Sequence, residues 1–96
     1  MEFTVVDNPE KRRFEAQVAS NTVLIEYIRA KDAVFLTHTE VPPVLEGQGI
    51  GGELVRQTLE ILKADGDQLA PLCPFVAAYL KRHPEWKFLL ARGYNV

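Results

Sequence analysis

From Phe14 to Val41 the chain alternates apolar and polar positions in short runs. Phe14, Ala16 and Val18 are separated by Glu15 and Gln17, the period of two expected of a strand with one wetted face. Ser20-Asn21 offers a tight hairpin connection. Thr22 to Arg29 is rich in β-branched and aromatic residues, placing Val23, Ile25 and Tyr27 on one face and Leu24, Glu26 and Ile28 on the other. After the turn residues Ala30-Lys31-Asp32, the stretch Ala33 to Val41 sets Phe35, Thr37 and Thr39 against Leu36, His38 and Glu40. A short run at Thr4-Val5-Val6, closed by Asp7-Asn8-Pro9-Glu10, adds a strand in front of these. Four strands joined by short polar turns predict an antiparallel meander.

At Pro42-Pro43 the alternation stops, because two residues without N–H groups cannot extend a ladder. The strand then ends or splays from its neighbour. From Gly51 the period changes to that of a helix, with Leu54, Val55, Thr58, Leu59 and Leu62 on one side and Glu53, Arg56, Gln57, Glu60 and Lys63 on the other. Gly66 suits the left-handed position after its last turn. Gln68 to Leu72 reads as a fifth strand, and a strand, helix, strand order places it parallel to the fourth through a right-handed crossover. Cys73-Pro74 opens a second helix with an apolar side at Phe75, Val76, Tyr79 and Leu80, stopped by Pro84. The tail carrying Trp86, Phe88, Leu89 and Leu90 predicts a turn or short helix, with a final strand near Tyr94.

Composition narrows the class. Ninety-six residues, 47% hydrophobic and 25% charged, suit one globular α+β domain over 1–96. A net charge of -2 argues against nucleic acid, whose phosphates require a basic surface. The apolar runs are too short to cross a bilayer and the N-terminus lacks the regions of a signal peptide, so a cytoplasmic location without membrane contact is expected. One cysteine and two distant histidines give no disulfide framework and no metal site.

The candidate chemistry lies between the fourth strand and the first helix, at Glu46-Gly47-Gln48-Gly49-Ile50-Gly51-Gly52. A glycine-rich turn into a helix leaves N–H groups unpaired at the positive end of the helix dipole, an arrangement that holds anions. No Walker lysine follows, and the spacing is not that of a dinucleotide fingerprint. A glycine turn used only for close packing is the competing reading. Cys73, at the start of the second helix, sits where a dipole stabilises a thiolate; the alternative is a small buried hydrophobe.

The order of elements, together with Glu46 to Gly51, resembles the GCN5-related N-acetyltransferase (GNAT) superfamily. Its signature reads Arg or Gln, two residues, Gly, one residue, then Gly or Ala, and Glu46 alone departs from it. Thr39-Glu40-Val41-Pro42-Pro43, Pro71-Leu72-Cys73-Pro74-Phe75-Val76 and Tyr79-Leu80-Lys81-Arg82-His83-Pro84-Glu85 are similar to the minimal GNAT-like proteins of the YjdJ type. The resemblance implies a three-layer acyl-CoA N-acyltransferase fold and acetyl-CoA as cosubstrate. Its pantetheine arm would lie between the parted fourth and fifth strands against Val41, and its diphosphate on the N–H groups of Gln48, Gly49, Ile50, Gly51 and Gly52.

An N-acetyltransferase of this kind passes acetyl to an amine on a small molecule or a protein lysine. Glu40, or His38 beside it, becomes the candidate base, Tyr79 the candidate proton donor to the departing thiolate, and Cys73 an acyl carrier or acceptor contact. Lys81 and Arg82 would reach the cofactor's 3′-phosphate, although cations suit a helix C-terminus in any case. Helices that cover the acceptor side in larger members do not fit between Asp7 and Arg12, which leaves that side open or completed by another molecule, such as a second copy or a protein acceptor. A non-catalytic CoA-binding or protein-interaction module is the alternative.

Overall fold

The computed structural model describes residues 2–96. Its five-stranded sheet follows chain order, β1 (Val6–Asn8), β2 (Arg13–Val18), β3 (Asn21–Arg29), β4 (Val34–Glu40) and β5 (Leu69–Pro71), with the first four antiparallel and β5 parallel to β4. Helix α1 (Ile50–Ala64) makes the crossover and α2 (Pro74–Arg82) follows β5. The α+β meander and parallel fifth strand are those expected of the acyltransferase fold.

Burial explains why these elements hold. Phe14, Ala16, Val18, Val23, Ile25 and Tyr27 form the inner face of β2 and β3, and Leu54, Val55, Leu59 and Leu62 of α1 are fully buried against it. At roughly 1.5–3 kcal/mol for each large apolar side chain withdrawn from water, this contact dominates the stability of the domain. Val76 and Leu80 bring α2 into the same cluster, beside α1. Both helices therefore lie on one side, so sheet and helices make two layers and not the three expected, because no helices are inserted between β1 and β2. The opposite face carries Val6, Glu15, Leu24 and Glu40 in one row and Asn8, Arg13, Glu26 and His38 in the next. Val6 and Ile28 remain more than half exposed there, and only the turn Pro9 to Arg12 joins β1 to β2. Among the described residues no helix covers this face, as the short connection led us to expect.

The register of β4 departs from simple alternation. Leu24, Ile25 and Glu26 pair with Glu40, Thr39 and His38, but Tyr27 pairs with Leu36, so Thr37 is an extra residue, a β-bulge. Its hydroxyl bonds the Glu26 carbonyl. The bulge reverses the facing of everything after it. Leu36 and Thr39 share the inner face with Tyr27 and Ile25, whereas Phe35, His38 and Glu40 share the outer one. The expectation that Leu36 would lie with His38 and Glu40 is corrected by this one residue.

Smaller corrections concern ends. The first strand is Val6–Asn8 and not Thr4 to Val6, since Asp7 and Asn8 pair with Phe14 and Arg13. Asp7 also accepts a hydrogen bond from the Tyr27 hydroxyl. The tail forms a 3-10 helix over Pro84–Leu89, and instead of a strand near Tyr94 it makes a single parallel bridge from Leu90 to Leu69. The β2–β3 hairpin turns on Ala19 and Ser20, not on Ser20-Asn21. Both have positive φ, 49° and 66°, although neither lacks a Cβ.

That turn generates a prediction. A left-handed conformation costs roughly 1–2 kcal/mol for an ordinary residue, and Asn-Gly is the favoured pair for a two-residue hairpin. Replacing Ala19→Asn together with Ser20→Gly raises the melting temperature by about 4–8 °C per kcal/mol recovered. An unchanged or lower melting temperature in a calorimetric scan contradicts the strain assigned to the turn.

Candidate functional site

The site begins where β4 and β5 part. Their ladder covers Val34 to Leu36 opposite Leu69 to Pro71, and the Cys73 N–H bonds the Leu36 carbonyl at 2.9 Å. Beyond Leu36, β4 runs on to Glu40 paired only with β3. The parting thus starts at the Thr37 bulge, several residues before Pro42-Pro43, which were expected to cause it. A bulge bends its strand, and Pro71 on the other side has no N–H to donate. The two prolines act later. Pro42 and Pro43 start a 3-10 turn over Pro43–Leu45 that carries the chain over to α1.

Gly47 and Gly49 then take φ of 79° and 75°, with open space where a Cβ would lie. Their glycines serve conformation, and Gly49 caps α1, which begins at Ile50, one residue earlier than its pattern suggested. No side chain caps the helix. Among the described residues, no backbone carbonyl accepts from the N–H groups of Gln48, Gly49, Ile50, Gly51 or Gly52. Five donors are thereby left at the positive end of a 15-residue helix.

Four of these residues, Gly49 to Gly52, border a cavity of about 420 Å3. Thr39 of β4 and Val41 just beyond it form one wall, Leu45 to Gly47 and Gly49 to Gly52 the turn, and Phe75 of α2 the other wall. The lining includes Glu46 but no lysine or arginine. Nearby, Glu53 is bonded by Arg56 and Gln57, which hold its carboxyl down to about 2. Arg56 offsets its charge, so Glu46 is the uncompensated carboxylate at the mouth. An anion here is held by main-chain dipoles, not by cationic side chains.

The predicted residues are distributed unevenly around this cleft. Val41, Gly49, Ile50, Gly51 and Gly52 line it, and Gln48 lies within the turn. Cys73 is 4% exposed and caps α2, and its thiol shares a hydrogen bond of 3.2 Å with the Thr39 hydroxyl. Glu40 lies on the outer face, 3.5 Å from His38 Nε2, with both side chains more than half exposed. Tyr79 stands behind Gly52, buried and stacked on His83 at 4.2 Å. Burial pushes its hydroxyl up, partly opposed by the charge of Arg56. Glu40 lies on the opposite face of the sheet from Cys73 and Tyr79, which belong to the core. Lys81 and Arg82 are exposed in the last turn of α2.

Two cleft residues escaped the sequence reading. Thr39 reaches the inner face only because of the bulge, which no periodicity announces. Phe75 had been placed on the buried side of α2, yet it is 41% exposed and faces the cleft.

A split sheet, unpaired amides at the start of α1 and a cavity beside them make up the candidate site. Residues 13–89 match the model of the GCN5-related N-acetyltransferase family. The chain belongs to that family, and no curated protein matches it. Among the described residues no group of His, Cys, Asp or Glu could hold a metal ion, and no helix is long and apolar enough to cross a membrane.

The burial of Cys73 is directly testable. In the native protein its thiol reacts with a water-soluble disulfide reagent at least about tenfold more slowly than in denaturant, since access and thiolate character both govern the rate. Equal rates in the two conditions contradict the buried, Thr39-bonded placement.

Proposed function

We propose that the protein binds acetyl-CoA in this cleft and transfers the acetyl group to an amine that arrives from the open face of the sheet. The observation that carries the reading is the run of unpaired N–H groups from Gln48 to Gly52, of which Gly49 to Gly52 line a cavity at the free edge of β4. Those groups take the diphosphate. The unpaired backbone of β4 near Val41 pairs with the amide-bearing arm, much as an added strand pairs with a sheet edge.

Bound acetyl-CoA supplies an activated acyl group, and the chain's residues handle the protons. As the amine nitrogen bonds to the thioester carbon and the carbon–sulfur bond breaks, one proton leaves the nitrogen and one is needed by the sulfur. Glu40, with His38 at 3.5 Å, accepts the first, directly or through water. For the second, the sequence offers Tyr79. Its position behind Gly52 favours instead the Thr39 hydroxyl, which lines the cleft and is bonded to Cys73. Cys73 then serves as support for Thr39 and not as an acyl carrier.

A non-catalytic CoA-binding module is the second reading, and the dispersal of Cys73, Tyr79 and Glu40 favours it. One experiment separates the two. Acetyl-CoA at a hundred times its dissociation constant stabilises the fold by about 2.7 kcal/mol, read as a thermal shift. Thiol release with polyamine and lysine-peptide mixtures then reports turnover. Release faster than in a Gly49→Glu control supports the enzyme; a shift without release supports the module; no shift overturns both.

Charge at the mouth gives a further prediction. Glu46→Gln tightens acetyl-CoA binding about two- to threefold at low salt and less at high salt, because an exposed charge interacts weakly and is screened. Unchanged affinity at low salt places the phosphates away from Glu46.

A further inference from the structure

Gly51 is the only position of the glycine turn where side-chain packing excludes a Cβ. An added methyl there would stand 2.6 Å from the tip of the Phe75 ring and 3.1 Å from a second ring carbon. Its φ is not in the left-handed region, it lies inside α1, and helix propensity alone would favour alanine. The family signature accepts Gly or Ala at this position. In this chain the choice is made by Phe75, the second residue of the neighbouring helix.

The ring seated on Gly51 is 41% exposed and forms the wall of the cleft opposite Thr39 and Val41. A large exposed aromatic ring beside unpaired amides has no structural partner on its free face. We infer that Phe75 is a cofactor-positioning residue. Its ring, held at the depth that Gly51 permits, sets the width of the passage between α2 and the free edge of β4 and packs against the apolar part of the pantetheine arm. Close packing thus explains one glycine of the turn and backbone conformation two others. Gly47 and Gly49 shape the donors, and Gly51 admits the wall. This inference rests on the acetyl-CoA reading above and goes on to name a residue that controls how the arm is seated.

The test is a double-mutant cycle read by calorimetric binding of acetyl-CoA and, separately, of adenosine 3′,5′-bisphosphate, which lacks the arm. Phe75→Ala weakens acetyl-CoA binding about tenfold through lost apolar contact and leaves the bisphosphate unaffected. Gly51→Ala pushes the ring into the passage and weakens acetyl-CoA binding by a similar factor. In Gly51→Ala with Phe75→Ala the second change adds nothing, because the colliding ring is gone, and the coupling exceeds threefold. Phe75→Leu, which keeps an apolar side chain of smaller reach, retains most of the affinity and checks that the fold survives.

Additive effects, or equal loss for the bisphosphate, overturn the inference while leaving acetyl-CoA binding intact. If the unaltered protein binds no acetyl-CoA, the functional reading itself fails and this inference fails with it.

Discussion

One extra residue in a strand governs the rest of this structure. Up to Leu36, β4 and β5 are ordinary parallel neighbours; at Thr37 the ladder with β3 gains a bulge and β4 bends out of reach of β5. A parallel pair that parts exposes backbone donors and acceptors on a free edge, and such groups are costly to leave dry and unpaired. The fold leaves them bordering a cavity. The same bulge turns Thr39 inward and leaves His38 and Glu40 outward, so one residue divides the strand into a cleft-facing and an outer set.

The glycine turn completes the cleft by a separate device. Strand β4 ends in a 3-10 turn, and two left-handed glycines redirect the chain so that α1 starts without a side-chain cap. A capping Ser or Asp would satisfy one of the free amides and compete for an anion. Gly49 in the cap position has nothing to offer them. With Glu53 neutralised by Arg56, the local field at the turn comes from the helix dipole and from Glu46. The cleft suits a ligand whose charge is recognised by geometry.

The broad architecture was legible because burial imposes periodicity. Phe14, Ala16 and Val18, or Leu54, Val55, Thr58, Leu59 and Leu62, announce their faces from spacing alone. The glycine turn was legible because positive φ and close approach restrict residue type. The bulge was not: Thr37 is an unremarkable strand residue, and its consequence is a change of phase that appears only when β3 and β4 are paired. Phe75 was misread for a related reason. Its spacing with Tyr79 is that of a buried helical stripe, and only the notch at Gly51 lets it stand at the surface of the cleft. The hairpin at Ala19 and Ser20 was displaced by one residue because neither carries the turn chemistry its backbone adopts.

On the proposed reading, main-chain amides of the turn, not side chains, hold the cofactor's phosphates. It is tested most directly by nuclear magnetic resonance titration of the amide-labelled protein with CoA. The N–H resonances of Gln48, Gly49, Ile50, Gly51 and Gly52 should shift together, saturably and more than any others, with a downfield movement of the protons that gain an acceptor. Saturable binding that leaves these five resonances in place would contradict it.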